Sequence, residues 1–259
     1  MNCIVCMASV PDTASVIKIG GDGKGIDESA IKWIVSPYDE YALEEALQIT
    51  EAKGGEVTVM TYGPDHAEAA LRDCLARGAH QAVHVLGGEA TLGDSLTIAK
   101  VLAAAIKDRE YDLVLCGIKG VGTDCAQVGQ MLAELLDLPH VASITELEVA
   151  DGSLTAGRDV EGGKEKVESP LPALVTCQKG LNEPRYAALK GIMAAKKKPV
   201  EKVEVASLGV DESAGGFYRV EQFELPPAKA AGTIIQGEDD PAAAAAELVK
   251  LLREEAKAI

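Results

Sequence analysis

Leu113-Val114-Leu115-Cys116-Gly117-Ile118-Lys119-Gly120-Val121-Gly122-Thr123-Asp124-Cys125-Ala126-Gln127-Val128-Gly129 runs from an unbroken apolar segment through a glycine-rich turn into a segment with helical spacing. An apolar run without alternation reads as a strand buried on both faces, since a strand with one wet face would alternate. Such strands lie in parallel sheets covered by helices. A strand, a short loop and a helix form half of a βαβ unit, so this stretch predicts an α/β fold.

The same unit recurs along the chain. Short apolar runs at 3 to 8, 56 to 62, 81 to 86 and 111 to 117 are each followed by a longer segment of helical periodicity. Ser36-Pro37 predicts a helix start, with an N-cap hydroxyl, proline at the first helical position, and Asp39 and Glu40 in the first turn. Leu43, Ala46 and Leu47 supply its buried stripe, and Gly54-Gly55 ends it. Pro64 likewise opens a predicted helix to about Ala76, with Leu71, Cys74 and Leu75 inward and Gly78 as its stop, and residues 94 to 108 form the next. Crossovers through helices are right-handed, which gives a doubly wound, mostly parallel sheet with helices on both faces.

Beyond residue 140 the texture changes. Val141 to Val149, a turn at Asp151-Gly152, Leu154 to Val160, Gly162-Gly163 and Lys164 to Glu168 predict a small antiparallel excursion, and Ala173 to Cys177 returns as a buried strand. After Pro199 regular alternation is lost until a terminal helix at about 241 to 256, whose apolar stripe is narrow. The expected organisation is an α/β nucleotide-binding domain over 1–205, including a recognition loop at 181–199, and a C-terminal arm and helix over 206–259 that packs on a partner subunit.

Composition limits the function classes. Among 259 residues, 41 acidic against 25 basic side chains give a net charge of -16, which opposes general binding to nucleic acid or an anionic membrane. No apolar run reaches the roughly 20 residues of a spanning helix, and the N-terminus has no signal-peptide pattern, so a cytoplasmic location without membrane insertion is expected. Six cysteines scattered mostly in apolar runs read as buried thiols rather than a disulfide framework. Cys3 and Cys6, three apart on a strand, point to opposite faces, which argues against a metal site there. The histidines at 66, 80, 84 and 140 have no ligand spacing.

The glycine-rich loop is the candidate binding site. In a doubly wound fold ligands bind beyond the carboxyl ends of the strands. Gly117, Gly120 and Gly122 let backbone approach a phosphate, and the following helix N-terminus favours an anion. The spacing fits neither a Walker A loop nor the dinucleotide fingerprint. The plainer reading is a flexible strand-to-helix loop, in which Asp124 and Gln127 form a capping box that occupies the helix amides and repels a phosphate.

A second informative stretch runs from Leu181 to Pro199, LNEPRYAALKGIMAAKKKP, whose charge and apolar elements suit a partner surface. Asn182-Glu183-Pro184 reads as a turn and Ala187 to Ala195 as a short amphipathic helix with Leu189 standing out. Lys196 to Lys198 complement its dipole, and steer partners or form a solvated run.

Val167-Glu168-Ser169-Pro170-Leu171-Pro172-Ala173-Leu174-Val175-Thr176, leading into that stretch, resembles the signature of the electron transfer flavoprotein β-subunit family. The similarity extends through Ser36 to Ala46 and Asp124 to Met131, and weakens after about residue 210. The resemblance implies an electron carrier rather than an enzyme. It would be a heterodimer whose α subunit carries redox FAD, while β holds a nucleotide and docks acyl-CoA dehydrogenase-type flavoenzymes of fatty acid oxidation, with electrons passed to a respiratory acceptor. By motif match the cofactor-binding residues are Cys6, Ser36, Pro37, Tyr38, Asp39, Tyr62 and Gly117 to Val128, with Tyr38 near the α-subunit flavin. The partner-binding residues are Leu189, Ile192 and Met193, with Leu189 as the anchor, and Asp159, an acidic position that holds the mobile flavin domain of α.

Ala8 and Ser9 stand where the family has basic or amide side chains, and Ser36 stands where it has asparagine. Cys125 and Gln130-Met131 resemble members that hold AMP, which is the expected nucleotide. Ala126-Gln127-Val128 resembles bifurcating members that bind a second FAD and oxidise NADH, which is the alternative. A free-standing nucleotide-binding regulatory domain is a further alternative by fold, although such domains lack the lysine-ended helix. No nucleophile elbow, Ser/His/Asp arrangement or metal cluster points to a hydrolase.

Overall fold

The computed structural model describes residues 1–88, 94–211, 220–229, 231–237 and 239–259. Cys3–Cys6 forms β1, Ser9–Pro11 β2 and Trp33–Val35 β3, followed by helix α1 over Pro37–Lys53. β4 (Val57–Gly63), α2 (Glu68–Arg77), β5 (Gln81–Leu86), α3 (Ser95–Ile106), β6 (Leu113–Gly117) and α4 (Val128–Leu135) continue the alternation. Then come β7 (His140–Ala150), β8 (Ser153–Val160), β9 (Gly163–Pro170), β10 (Ala173–Cys177), α5 (Leu189–Ala195), β11 (Glu201–Glu204) and α6 (Pro241–Glu254).

Among the described residues the main sheet has nine strands in the order β11-β5-β4-β1-β6-β10-β7-β8-β9, and β2 pairs with β3 in a two-stranded sheet. Every pairing from β11 to β7 is parallel, while β8 and β9 are antiparallel. The predicted excursion is therefore a continuation of the same sheet. From β1 the chain moves to β4 and β5 on one side, then returns through α3 to β6 on the other. That reversal makes the carboxyl ends of β1 and β6 the switch point, where such sheets bind ligands.

The two faces follow the two-residue period of β1. Cys3, Val5 and Met7 pack with Leu43, Ala46 and Leu47 of α1 and Leu71, Cys74 and Leu75 of α2. Ile4 and Cys6 pack with Leu102 and Ile106 of α3 and Leu132 and Ala133 of α4. Each fully buried leucine contributes about 1.5–3 kcal/mol relative to exposure, so both helix layers are held by the sheet rather than by propensity.

Some local expectations are corrected. Ser36 sits at the N-cap of α1 but its hydroxyl does not cap; its carbonyl accepts from the N–H groups of Asp39 (2.8 Å) and Glu40 (3.2 Å) instead. Pro64 does not open α2, because Asp65–Ala67 form a 3-10 turn and the helix starts at Glu68. α5 starts at Leu189 rather than Ala187. β11 has no apolar run to announce it: Glu-Lys-Val-Glu is an edge strand blunted by charge.

The segment before β11 is anchored tightly. Arg185 pairs with Glu44 at 2.8 Å and Glu51 at 2.5 Å on α1. Burial pushes the Glu44 carboxyl up, but its bonds from Arg185 and Gln48 outweigh that and hold it below the usual range. Asn182 donates to the Tyr41 carbonyl (3.0 Å) and Glu45 (2.9 Å). Arg72 donates to the carbonyls of Ala195 (2.9 Å) and Lys198 (2.7 Å), closing the end of α5. Lys198 donates to the Ala79 carbonyl at 2.6 Å, so only Lys196 and Lys197 remain as an exposed pair rather than three free lysines.

The chain divides into compact units Met1–Phe223 and Glu224–Ile259. In the second, Asp240 caps α6 by accepting from the N–H groups of Ala242 (3.1 Å) and Ala243 (3.0 Å), and Pro241 takes the first helical position. Leu248 and Val249 are exposed there. No described helix is long and apolar enough to cross a membrane.

α5 lies so close to α2 that a Cβ on Gly191 would run into the Ala76 carbonyl. Gly191→Ala is predicted to lower stability by about 1–2 kcal/mol, since the overlap outweighs the gain of about 1 kcal/mol in helix propensity. Urea unfolding checks this, together with faster trypsin cleavage after Lys196 and Lys197; an unchanged midpoint and cleavage rate would contradict it.

Candidate functional site

A cleft of about 290 Å³ opens beyond the carboxyl ends of β1, β4 and β6. Of the residues named from the sequence, it is lined by Cys6, Asp39, Tyr62, Gly117, Ile118, Lys119, Gly120, Val121, Thr123, Cys125, Ala126, Gln127 and Val128. Ser36, Pro37, Tyr38, Gly122 and Asp124 do not line it. Met7 and Ala8 follow β1 into the wall together with Ser9 and Val10 of β2, Gly63 ends β4 there with Pro64, His66 and Ala67 after it, and Ser95, Ile98 and Leu102 add α3. The carboxyl-end rule alone could have found the first two groups. The α3 residues become visible only once the helix is packed.

Asp39 holds the site together. One carboxylate oxygen accepts the N–H of Ala8 and the other that of Gly117, each at 2.8 Å, which ties the ends of β1 and β6 to the first turn of α1. The glycine at 117 predicts room for a phosphate, but the room is taken by the protein itself: a Cβ there would lie 2.5 Å from Asp39 Oδ1 and 2.7 Å from the Tyr38 carbonyl carbon. The close approach, rather than a ligand, requires glycine at this position.

The loop after Gly117 carries strain. Asp124 and Ala126 hold left-handed φ values of 52° and 51°, a region that costs a non-glycine residue roughly 1–2 kcal/mol. The predicted capping box does not form. Asp124 faces Lys119 at 3.0 Å, and Gln127, the N-cap of α4, makes no side-chain cap bond. The left-handed turn at Asp124 and the pull of Lys119 direct that carboxylate away from the helix. The first amides of α4 therefore have no side-chain acceptor at the N-cap, and Gln127, Val128 and Gly129 at this helix start line the cleft. Lys119 also stands 5.7 Å from the Tyr38 ring centre, so Tyr38 borders the loop from outside the cleft.

Two further polar features bear on a ligand. The Ser9 hydroxyl, on the cleft wall, is buried and has no hydrogen-bond partner among the described residues. The hydroxyl of Ser36 is likewise buried and unpartnered. Buried hydroxyls normally find partners, and leaving one unpaired costs about 1–3 kcal/mol. Trp33 stacks on His66 with ring centres 3.8 Å apart, which fixes the rim beside Pro64. Cys125 departs from the expected burial of thiols and is exposed on this loop. No group of described residues could hold a metal ion.

Away from the cleft, Leu189 (77 % exposed), Ile192 (42 %) and Met193 (60 %) form the outer side of α5, with Tyr186 (93 %) just before it. Asp159, one residue before the end of β8, lies opposite Lys164, 3.8 Å away, and is exposed near the tip of the antiparallel hairpin.

Burial pushes the Asp39 carboxyl up to about 7, against the two N–H bonds that favour its anion. An unfolded aspartate titrates near ~3.9, so across the window from there to about 7 the folded chain holds a proton that the unfolded chain has lost. Stability from this group falls as pH rises through that window. Asp39→Asn cannot titrate, so the stability of the natural chain relative to this variant is predicted to decline between about pH 5 and pH 8. Urea unfolding across that range checks it; a constant difference would contradict it.

The chain is similar in sequence to a wider group of proteins. The family model described as electron transfer flavoprotein domain matches residues 24–208. Electron transfer flavoprotein subunit beta of Bacillus subtilis is 47 % identical over 262 residues, covering 100 % of this chain and 100 % of that one. The protein of the same name from Syntrophomonas wolfei is 39 % identical, covering 99 % and 98 %. That from Mus musculus is 34 % identical, covering 93 % and 94 %. With the family model over most of the chain and these relatives over nearly its full length, the chain belongs to the electron transfer flavoprotein β-subunit family.

Proposed function

We propose that this chain is the β half of a heterodimeric electron carrier. In this reading an α subunit carries the redox FAD, the switch-point cleft holds AMP, and α5 docks acyl-CoA dehydrogenase-type flavoenzymes. Electrons then pass to a respiratory acceptor. The observation that carries it is an exposed apolar row, Leu189, Ile192 and Met193, on a helix pinned by Arg72, Arg185 and Lys198. A rigid apolar anchor is what a partner pocket can grip at low entropic cost.

The residues present fit a nucleotide. Ser9 lines the cleft, and its buried hydroxyl has no hydrogen-bond partner among the described residues. The uncapped start of α4 offers amides for a phosphate, while Lys119 draws the Asp124 carboxylate aside. Asp39, with its carboxyl near neutral, repels an anion less than an ordinary aspartate would. A cleft of about 290 Å³ lies at the small end of ligand sites, roughly 300–1,000 Å³, and suits a mononucleotide better than a dinucleotide. AMP has no redox chemistry and would brace the cleft, whereas the FAD supplies storage for one or two electrons. Tyr38, outside the cleft and beside Lys119, is assigned to the flavin side of the partner subunit.

Asp159, exposed at the hairpin tip, is assigned to restraining the flavin domain of α. The unit Glu224–Ile259 is assigned to packing on α, through the exposed Leu248 and Val249 of α6. The run Ala126-Gln127-Val128 on the cleft wall supports a second reading, in which this site takes a second FAD and the complex oxidises NADH.

In the α–β complex, Leu189→Ala is predicted to slow electron transfer from a dehydrogenase on the order of tenfold or more, as removal of an interface anchor does, with flavin content unchanged. Stopped-flow reduction of the flavin by a reduced acyl-CoA dehydrogenase measures this. Equal rates for both proteins would remove the docking role.

A further inference from the structure

Cys6 and Cys116 face each other across the switch point. They are register partners on the adjacent parallel strands β1 and β6, and both side chains lie on the α3–α4 face of the sheet. Neighbouring strands are about 4.8 Å apart, and disulfides span Cα separations of about 4.4–6.8 Å, so backbone spacing already suits a bond between them. Cys6 is 5 % exposed and Cys116 6 %, and the face they share with solvent is the cleft.

The other thiols are placed differently. Cys3 and Cys177 belong to the opposite face of the sheet, and Cys74 sits there under α2. Cys125 is on the outer loop. Only the Cys6 and Cys116 pair combines adjacency, a common face and access through the cleft among the described residues.

We propose that Cys6 and Cys116 are an oxidisable dithiol on the cleft floor, converted to an intrachain disulfide by a small hydroperoxide when the cleft is empty and shielded when a nucleotide fills it. The shielding rests on the nucleotide reading above; the disulfide does not. In the first step the Cys6 sulfur attacks the peroxide, the O–O bond breaks, and an alcohol or water leaves, giving a sulfenic acid. In the second the Cys116 sulfur attacks the Cys6 sulfur, the S–O bond breaks and water leaves. Two thiols lose two electrons and two protons, and the hydroperoxide is reduced to alcohol and water. The Cys116 thiol is held protonated, its pKa pushed well above normal by the neighbouring Cys6 sulfur and by burial, which disfavours Cys116 as the first nucleophile and leaves that step to Cys6. Transient disulfides of this kind operate in reducing compartments as sensors.

The test treats the α–β complex with hydrogen peroxide, once stripped of nucleotide and once saturated with AMP, and maps disulfides by mass spectrometry without reduction. The expected result is a linked pair of peptides holding Cys6 and Cys116, lighter by two hydrogens, restored by dithiothreitol and formed about tenfold more slowly with AMP. Cys116→Ala, a small change in a buried position, is expected to stop at the sulfenic or sulfinic acid of Cys6. Disulfides to Cys125, oxidation of Cys125 alone, or unmodified Cys6 and Cys116 in the stripped complex would overturn the proposal. A Cys6–Cys116 disulfide formed equally fast with AMP overturns the shielding, and AMP that does not bind overturns the nucleotide reading while the stripped arm still decides the disulfide.

Discussion

The carboxylate of Asp39 is the interaction on which the cleft depends. It accepts N–H bonds from Ala8 and Gly117, the residues just past β1 and at the end of β6, and so joins both sides of the switch point to the start of α1. Without it two backbone amides would lose their acceptor, at about 1–3 kcal/mol for each that stays buried. The same contact explains why position 117 is glycine and why the loop that follows starts from a fixed point. A buried carboxylate costs stability of its own as pH rises, and the fold tolerates this because the bridge closes the site.

From that fixed point the chemistry of the loop follows. Left-handed turns at Asp124 and Ala126 bring the chain into α4 with its first amides uncapped by Gln127, and Lys119 holds the nearest carboxylate aside. Strain of this kind persists where the surroundings over-determine it, which is common around ligands. The α5 side is built on the opposite principle. There α5 and the segments on either side of it are fastened to the body by the half-buried arms of Arg72, Arg185 and Lys198, which leaves Leu189 and Met193 outward.

Much of this was legible from residue pattern alone. The strand runs, the stripes on α1 and α2 and the opposite orientation of Cys3 and Cys6 are set by local periods, and the structure repeats them. The loop from Gly117 was located by its glycines, yet the roles of those glycines were not, since Gly117 answers to Asp39, 78 residues away. The capping box at Asp124 and Gln127 failed for the same reason: a local motif gave way to a contact with Lys119 and a left-handed backbone. β11 carried no apolar signal because it is a short, charged edge. The wall supplied by Ser95, Ile98 and Leu102 depends on how α3 crosses the sheet, which no spacing in the sequence states.

The central claim is that the switch-point cleft of this β subunit holds a mononucleotide beside a flavin carried by its partner. Purifying the α–β complex, denaturing it and separating the released cofactors by chromatography tests this most directly. The account predicts equal amounts of FAD and AMP. Twice as much FAD as complex, with no AMP, would contradict it and place a second flavin in the cleft.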